Sequence, residues 1–170
     1  VIYQSAPIST QNLSVRGGSD KMLYYISGEV LRHEGIVRSG FFNRYTLRIN
    51  NEYKLASFIK LGHNLSFNFS NGNGEPGGIV FNAIAADPTV PVRDADGKYG
   101  DTSVKYNVSN PEAQLEYNAY NRANEFRMAG NAYAELYIWK GITYRSSFGF
   151  DLISSRGKSF VPEFFVNVLQ

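Results

Sequence analysis

The sequence contains no cysteine, and this absence removes two kinds of site at once. Neither a disulfide framework nor a thiolate metal site can form, because both need the cysteine sulfur. No run of about 18 apolar residues is present, so no segment reads as a membrane-spanning helix. The 17 Lys and Arg nearly balance the 15 Asp and Glu. A net charge of +2 is too small to indicate a nucleic-acid partner.

The beginning of the sequence also lacks the pattern of a secretory signal. The first residues show no basic, apolar and small-residue order of a secretory signal, so we expect any export signal to lie upstream of Val1. Aromatic residues are abundant instead, at 12 Tyr and 12 Phe, together with 16 Gly. Aromatic rings pack well on a pleated surface and Gly tolerates turn dihedrals, so this composition favours strands and turns over helices.

Alternation of apolar and polar residues is the dominant pattern of the chain. It is clearest in residues 41–54, where Tyr45, Leu47 and Ile49 share one parity and Arg44 and Arg48 share the other. A period of two is typical of a strand with one apolar and one polar face. The pattern predicts six strands, at residues 10–17, 21–33, 41–54, 58–70, 122–139 and 142–152.

The connections alternate between short and long. Turns at 17–20, 55–57 and 140–141 are short, whereas loops at 34–40, 71–121 and after Ser154 are longer, and we expect a further strand near Phe164. Long strands with short turns at one end and long loops at the other are typical of outer-membrane barrels. The predicted fold class is therefore all-β, an antiparallel meander that forms part of a transmembrane barrel. A short helix is predicted near 79–86 in the long loop.

Six or seven strands are fewer than the eight that the smallest membrane barrels use. An open sheet in lipid would leave unpaired backbone groups at its edges, so we expect the chain to be one partial domain, residues 1–170, of a larger barrel. The apolar parity should face outer-membrane lipid and the polar parity the lumen. Tyr53, Trp139 and Tyr144 lie on the apolar parity or beside a short turn, which suits an interfacial girdle, although such rings are also simply good strand residues.

Residues able to carry chemistry are few. Asp94-Ala95-Asp96-Gly97 opens like a calcium loop but lacks the later Glu, and a polar turn is the simpler interpretation. His33 and His63 lie on different strands without further ligands nearby in the sequence. No nucleophile with its base and no phosphate-binding Gly loop is recognisable, so we predict no enzyme, no catalytic residue, no metal site and no cofactor.

A series of sequence pieces resembles the SusC/RagA family of TonB-dependent outer-membrane transporters of Bacteroidetes. The order and spacing of the pieces carry the resemblance, which covers nearly the whole chain: APISTQNLSVRGGSDKMLYYISG, HEGI, FNRYTLRIN, KLGHNLSF, ADPTVPVRDADGKY, SNPEAQLE and GNAYAELYIWKGITYRSSFGFD. The resemblance implies a 22-stranded barrel, of which this chain would be the N-terminal portion, about the second to seventh strands. The plug and the remaining strands would lie outside it.

The resemblance also implies partners: a SusD-like lid lipoprotein, TonB acting through the absent N-terminal part, and an oligosaccharide or peptide substrate. Four loop tyrosines could contact substrate or lid, although packing within the loop is the simpler interpretation: Tyr99, Tyr106, Tyr117 and Tyr120. Eight charged residues should face the lumen, either to bind substrate or a plug or merely to line a polar interior: Arg44, Arg48, Glu52, Lys60, Arg127, Glu135, Arg145 and Asp151.

Two other functional interpretations remain open on the sequence. A structural or adhesive outer-membrane barrel, whose large loop binds a surface partner, would share the same strand pattern. A soluble carbohydrate-binding β-sandwich fits less well, because its strands are shorter and its apolar faces are buried between two sheets.

Overall fold

The computed structural model describes residues 2–102 and 108–160 as a single antiparallel sheet with two short helices. The strands pair strictly in chain order, each with the one before it. Their bounds are β1 Ile8–Gly18, β2 Met22–Glu34, β3 Phe41–Ala56, β4 Ile59–Asn73, β5 Arg122–Trp139 and β6 Ile142–Lys158. The helices, α1 Ile79–Ala85 and α2 Pro111–Asn118, lie in the long connection between β4 and β5. The predicted antiparallel meander and the first helix are confirmed.

Two strand ends differ from the sequence prediction by three residues or more, and the others agree to within two residues. β4 continues to Asn73 rather than ending at Ser70, so the long loop begins later than predicted. β6 continues through Lys158, whereas a loop was predicted after Ser154. The extension pairs with the start of β5, with Ser154 opposite Phe126 and Lys158 opposite Arg122. The prediction missed it because apolar residues no longer mark a parity there. The further strand predicted near Phe164 lies outside the described residues.

The pairing register carries the two predicted faces across all six strands. Directly paired residues share a face, so one cross-strand row can be followed from strand to strand. An apolar row runs through Leu13, Gly28, Leu47, Phe67, Met128 and Leu152. The next row, on the opposite face, runs through Ser14, Ser27, Arg48, Ser66, Ala129 and Asp151. All eight charged residues assigned to the lumen share this polar face.

Burial on the sheet is the reverse of that in a soluble protein. Leu13 is 75% exposed and Phe148 71% exposed on the apolar face, whereas Ser27 and Thr46 are buried on the polar face. The buried hydrophobic cluster lies in the loops instead, where Val37, Ile79 and Leu115 meet. The described strands therefore form a wall whose apolar side has no protein cover. Within the described residues, neither helix has the length and apolar character needed to cross a membrane.

This exposure leads to a test on two neighbouring positions of β1. In the complete barrel that the sequence predicts, Leu13→Arg should lower the free energy of unfolding in a bilayer by about 2–4 kcal/mol, because it would place a charge against lipid. The matched control is Asn12→Arg, which points to the opposite face of the same strand and should change stability little. Refolding into lipid vesicles with denaturant titration measures both. Equal losses for the two variants would contradict the assignment of the faces.

Candidate functional site: the polar face and the long loop

A network of charged residues joins four strands at the short-turn end of the polar face. The Lys60 Nζ lies 2.7 Å from a Glu135 carboxylate oxygen and 3.5 Å from one of Glu52. The Arg145 guanidinium contacts the other oxygen of Glu135 at 3.1 Å, and the Tyr133 hydroxyl donates to Glu52 at 3.1 Å. Residues from β3, β4, β5 and β6 thus neutralise one another, and the network fixes the side-to-side register of these strands.

Two further ion pairs lie towards the long-loop end of the same face. Arg127 forms a two-pronged contact with Asp151, with nitrogen–oxygen distances of 2.9 and 2.5 Å, across β5 and β6. Arg44 contacts Glu29 at 3.0 Å across β3 and β2. Seven of the eight predicted lumen residues therefore form ion pairs with other residues of the chain. Arg48 makes no such contact among the described residues, and its cross-strand neighbours are Ser27 and Ser66.

The polar face also carries a cleft that the sequence analysis did not single out. It encloses about 630 Å³, and its lining includes Arg16, Tyr25, Asn50 and Asn64. These four residues occupy one cross-strand row over β1 to β4. The sequence gives little signal for the cleft, because its lining residues come from five strands, β1 to β5, and only the register brings them together.

The base of the long loop is tied to the shorter loop at residues 35–40 by amide hydrogen bonds. The Asn73 side chain donates to the Asn118 carbonyl at 2.6 Å and to the Ser39 carbonyl at 3.3 Å. The Asn118 side chain donates in turn to the Ser39 hydroxyl at 3.2 Å. Ser39 itself has a φ of 71°, a conformation that non-glycine residues rarely adopt. These contacts hold the two loops together at the point where the strands end.

An apolar contact and an ion pair continue the attachment of the long loop. Ile79 of α1, Leu115 of α2 and Val37 of the shorter loop form the buried cluster, with Ile2 packed against it. The Arg38 guanidinium binds the Glu112 carboxylate at the start of α2. The described part of the long loop therefore packs against the shorter loop.

Helix α2 was not predicted, although its start carries a recognisable signal. The buried Asn110 side-chain oxygen accepts hydrogen bonds from the backbone N–H groups of Glu112 and Ala113, and Pro111 occupies the first turn. The Asn110 amide nitrogen also donates to the carbonyls of Val92 and Gly100, at 3.1 and 3.0 Å. One buried side chain therefore both caps the helix and holds the preceding hairpin against it.

Tyr99 and Tyr117, two of the predicted contact tyrosines, lie together inside the loop. Their ring centroids are 5.9 Å apart, and the Arg93 guanidinium lies 4.1 Å from the Tyr99 centroid. The Tyr99 hydroxyl and Arg93 both bind the Glu116 carboxylate, at 2.5 and 2.6 Å. Burial raises the pKa of both phenols, and the hydrogen bond to Glu116 raises that of Tyr99 further, so both remain protonated at neutral pH. The Tyr99 hydroxyl therefore already has a hydrogen-bond partner inside the loop.

The other two predicted tyrosines do not join this cluster. Tyr120 is 54% exposed, and its ring packs edge-on against Phe160 at a centroid distance of 5.8 Å, near the outer ends of β5 and β6. Tyr106 lies outside the described residues. The contact role assigned to the four tyrosines stays a prediction, and the geometry divides them into packed and exposed members.

The candidate calcium loop is a turn. The Asp94 carboxylate accepts hydrogen bonds from the backbone N–H groups of Asp96 and Lys98, both at 2.9 Å, and Gly97 adopts a φ of 80°. No group of three or more possible metal ligands forms within the described part of the chain. The His63 ring lies 3.2 Å from the side-chain amide of Asn51, on the adjacent strand.

A second cleft opens within the loop region. It encloses about 400 Å³ and is mainly apolar, with Ile2, Val80, Ile84 and Val92 in its lining. Ile84 is 81% exposed and Phe81, on the same helix, is 68% exposed. Helix α1 therefore presents apolar side chains outward from an otherwise well-packed loop, which is typical of a contact surface.

The role of Asn110 in the loop can be tested by two substitutions. Asn110→Ala removes the cap and leaves the Val92 and Gly100 carbonyls without a partner, so it should weaken the local stability of the loop by about 2–3 kcal/mol. Asn110→Asp keeps the cap oxygen but places a buried carboxylate oxygen against the Val92 and Gly100 carbonyl oxygens, so its effect should be at least as large. Hydrogen exchange of residues 92–118 measures the difference, with β3 amides as the internal control. Unchanged exchange in Asn110→Ala would contradict the role.

The geometry first defines a class. A six-stranded antiparallel wall with an exposed apolar face, a charged opposite face and one structured loop is the architecture of a membrane-barrel segment. The fold matches chains in two solved structures of the RagAB peptide transporter. One has a TM-score of 0.71, 24% identity and coverage of 92% of this chain and 19% of that chain. The other, in its closed-closed state, has a TM-score of 0.68, 22% identity and coverage of 91% and 18%.

Sequence relatives then narrow the class. TonB-dependent receptor P26 of Formosa agariphila is 29% identical over 168 residues, and receptor P3 of the same organism is 27% identical over 172. These matches cover 96% and 95% of this chain but 17% of each relative. TonB-dependent receptor SusC of Bacteroides thetaiotaomicron is 29% identical over 103 residues, covering 58% of this chain and 10% of SusC. No protein-family model matches. The resemblance is confirmed: this is a SusC/RagA-like segment.

Proposed function

We propose that the chain forms part of the barrel wall, and one outer loop, of a TonB-dependent outer-membrane importer for glycans or peptides. The observation that carries the proposal is the uncovered apolar face, which no soluble receptor domain would expose over six strands. Lipid of the bacterial outer membrane is the cover that such a face requires. The similarity to TonB-dependent receptors supplies the import function, and TonB would act through a part of the protein outside this chain.

The ordered loop supports a binding function over a purely structural barrel, and the similarity to TonB-dependent receptors favours the importer over an adhesive barrel. A structural barrel needs only short connections, whereas this loop has its own buried cluster, two helices and two attachments to the shorter loop. Such order in a long connection is typical of a functional loop. We infer that the exposed apolar side chains of α1, with the cleft beside them, contact a SusD-like lid lipoprotein or line the substrate entrance.

Removing the loop tests this function. In the full-length receptor, residues 75–120 are replaced by a two-residue turn between Gly74 and Asn121, which lie near the adjacent ends of β4 and β5. We expect the barrel to insert normally, because all strand pairs remain, and we expect lid association or substrate uptake to fall at least tenfold. Co-purification of the lid and energised uptake in cells are the measurements.

A second, milder variant replaces only Phe81 and Ile84, both by Ser. This variant keeps the loop fold, because neither residue belongs to the buried cluster, and it should lose part of the same lid association or uptake. If the loop deletion inserted, kept its lid and imported substrate at the wild-type rate, the loop would have no role of this kind.

A further inference from the structure

The charged residues of the outward, apolar face all lie at the long-loop end of the strands. Arg32 and Arg156 lie in one cross-strand row, and Glu34, Arg122 and Lys158 lie beyond it. Within the described strands, these five are the only Asp, Glu, Lys and Arg residues on that face. The outward face is therefore basic at its long-loop end and uncharged towards the short turns.

Three of the basic residues, Arg122, Arg156 and Lys158, lie close together on β5 and β6 and are called here the basic trio. Arg122 is directly paired with Lys158, and Arg156 precedes Lys158 by two residues on the same face. From strand spacing and rise, neighbouring Cα atoms of the trio are about 5–7 Å apart. All three residues are exposed. Like charges directly opposite each other destabilise a sheet, so this arrangement favours an anion bound between them.

The contacts of Arg122 hold its side chain without neutralising it. The guanidinium donates to the carbonyls of Ala119 and Asn121, at 2.5 and 2.7 Å. It also lies 5.2 Å from the ring centroid of Phe41. These groups carry no net charge. Arg122 is therefore a fixed cation at the edge of the apolar surface.

The opposite face of the same two strands treats its cations differently. On the polar face, Arg127 and Arg145 each contact a carboxylate of the neighbouring strand. On the outward face, neither Arg156 nor Lys158 has a carboxylate partner in the described part of the chain. The positive charge of β5 and β6 is thus balanced on one face and concentrated on the other.

Strand length places the basic trio beyond the apolar band. From Ile142 at the short turn to Arg156, β6 extends about 46 Å, which at the usual strand tilt corresponds to about 35 Å across the membrane. The lipid-facing apolar band of such barrels is about 25 Å tall. Between the two ends, β6 presents exposed outward rings and chains that include Phe148 and Leu152. The trio therefore lies at the height of lipid headgroups, next to a continuous apolar surface.

We propose that Arg122, Arg156 and Lys158 bind the phosphate of a glycolipid in the outer leaflet of the outer membrane. The inference rests on the proposed function, which places the apolar face against lipid and the long loop outside. A phosphate matches three converging cations, and each basic residue near an anionic surface strengthens binding by about fivefold. A lipid fits better than a soluble anion, because its acyl chains cover the apolar face directly beside the trio.

The test uses the complete barrel, purified in an uncharged detergent, and two lipid probes. One probe is a phosphorylated glucosamine-disaccharide lipid, and the other is the same lipid without its phosphate. Native mass spectrometry across a titration should show that the phosphorylated probe binds at least tenfold more tightly. Excess inorganic phosphate should not displace it, because the acyl chains also contribute to binding.

Substitutions then place the preference at the basic trio. Arg156→Gln with Lys158→Gln should lower the preference for the phosphorylated probe at least fivefold, whereas Arg122 is kept because it also holds the loop. The matched control, Arg48→Gln with Lys54→Gln, removes one Arg and one Lys from the polar face and should change nothing. Two single variants report even where the double variant folds poorly. Arg156→Gln should lower the preference several-fold, and Arg156→Lys should keep it.

Three results would overturn the proposal. They are equal binding of the two lipids, displacement of the lipid by inorganic phosphate, or a preference that survives in the double variant. Carboxylates supplied by the rest of the barrel would cancel the charge of the trio and give the first result. None of these outcomes depends on transport or on a lid. Equal losses of stability for Leu13→Arg and Asn12→Arg would instead count against the proposed barrel wall, so the two failures can be told apart.

Discussion

The structure depends on one constraint, which is that neighbouring strands satisfy each other's backbone hydrogen bonds. The strand side chains therefore do not have to form a buried core. β2 to β5 are each paired on both sides along nearly their full length. The apolar side chains can then all point one way, from Leu13 on β1 to Leu152 on β6. In water such a face would drive association, whereas hydrocarbon tolerates strands only where their backbone groups are paired with neighbouring strands.

The polar face follows from the same constraint. Individual ion pairs at partly exposed positions contribute little to stability in water. Here the ion pairs help to specify the strand register. A slip of one residue would turn every side chain of the strand to the wrong face, and it would separate Lys60 from Glu135 and Arg127 from Asp151. The charged network and the apolar rows therefore specify the same alignment independently.

The sequence predicted the strands, their faces and helix α1, because a period of two is local information. It did not predict the last residues of β6, where Arg156 on the apolar parity is opposite Asn124 and no apolar residue marks the face. It also missed α2, although Asn110 and Pro111 signal a helix start, and the ties through Ser39, since these contacts join residues far apart in the chain. The alternation of apolar and polar residues predicts the face of the sheet on which a side chain lies. Only the strand register determines which residues lie beside it.

The difference between face and cross-strand neighbour separates charged residues that the sequence pattern treats as equivalent. Parity placed Arg44 and Arg48 on one face as equivalents, and no sequence pattern separates them. Register gives Arg44 the carboxylate of Glu29, whereas Arg48 faces two serines. The same reasoning explains Asn51 and His63, which are polar residues on the apolar face: they are opposite each other and form a hydrogen bond, so each satisfies one polar atom of the other. Within the described residues, Arg44 therefore has an ion-pair partner on the neighbouring strand and Arg48 has none.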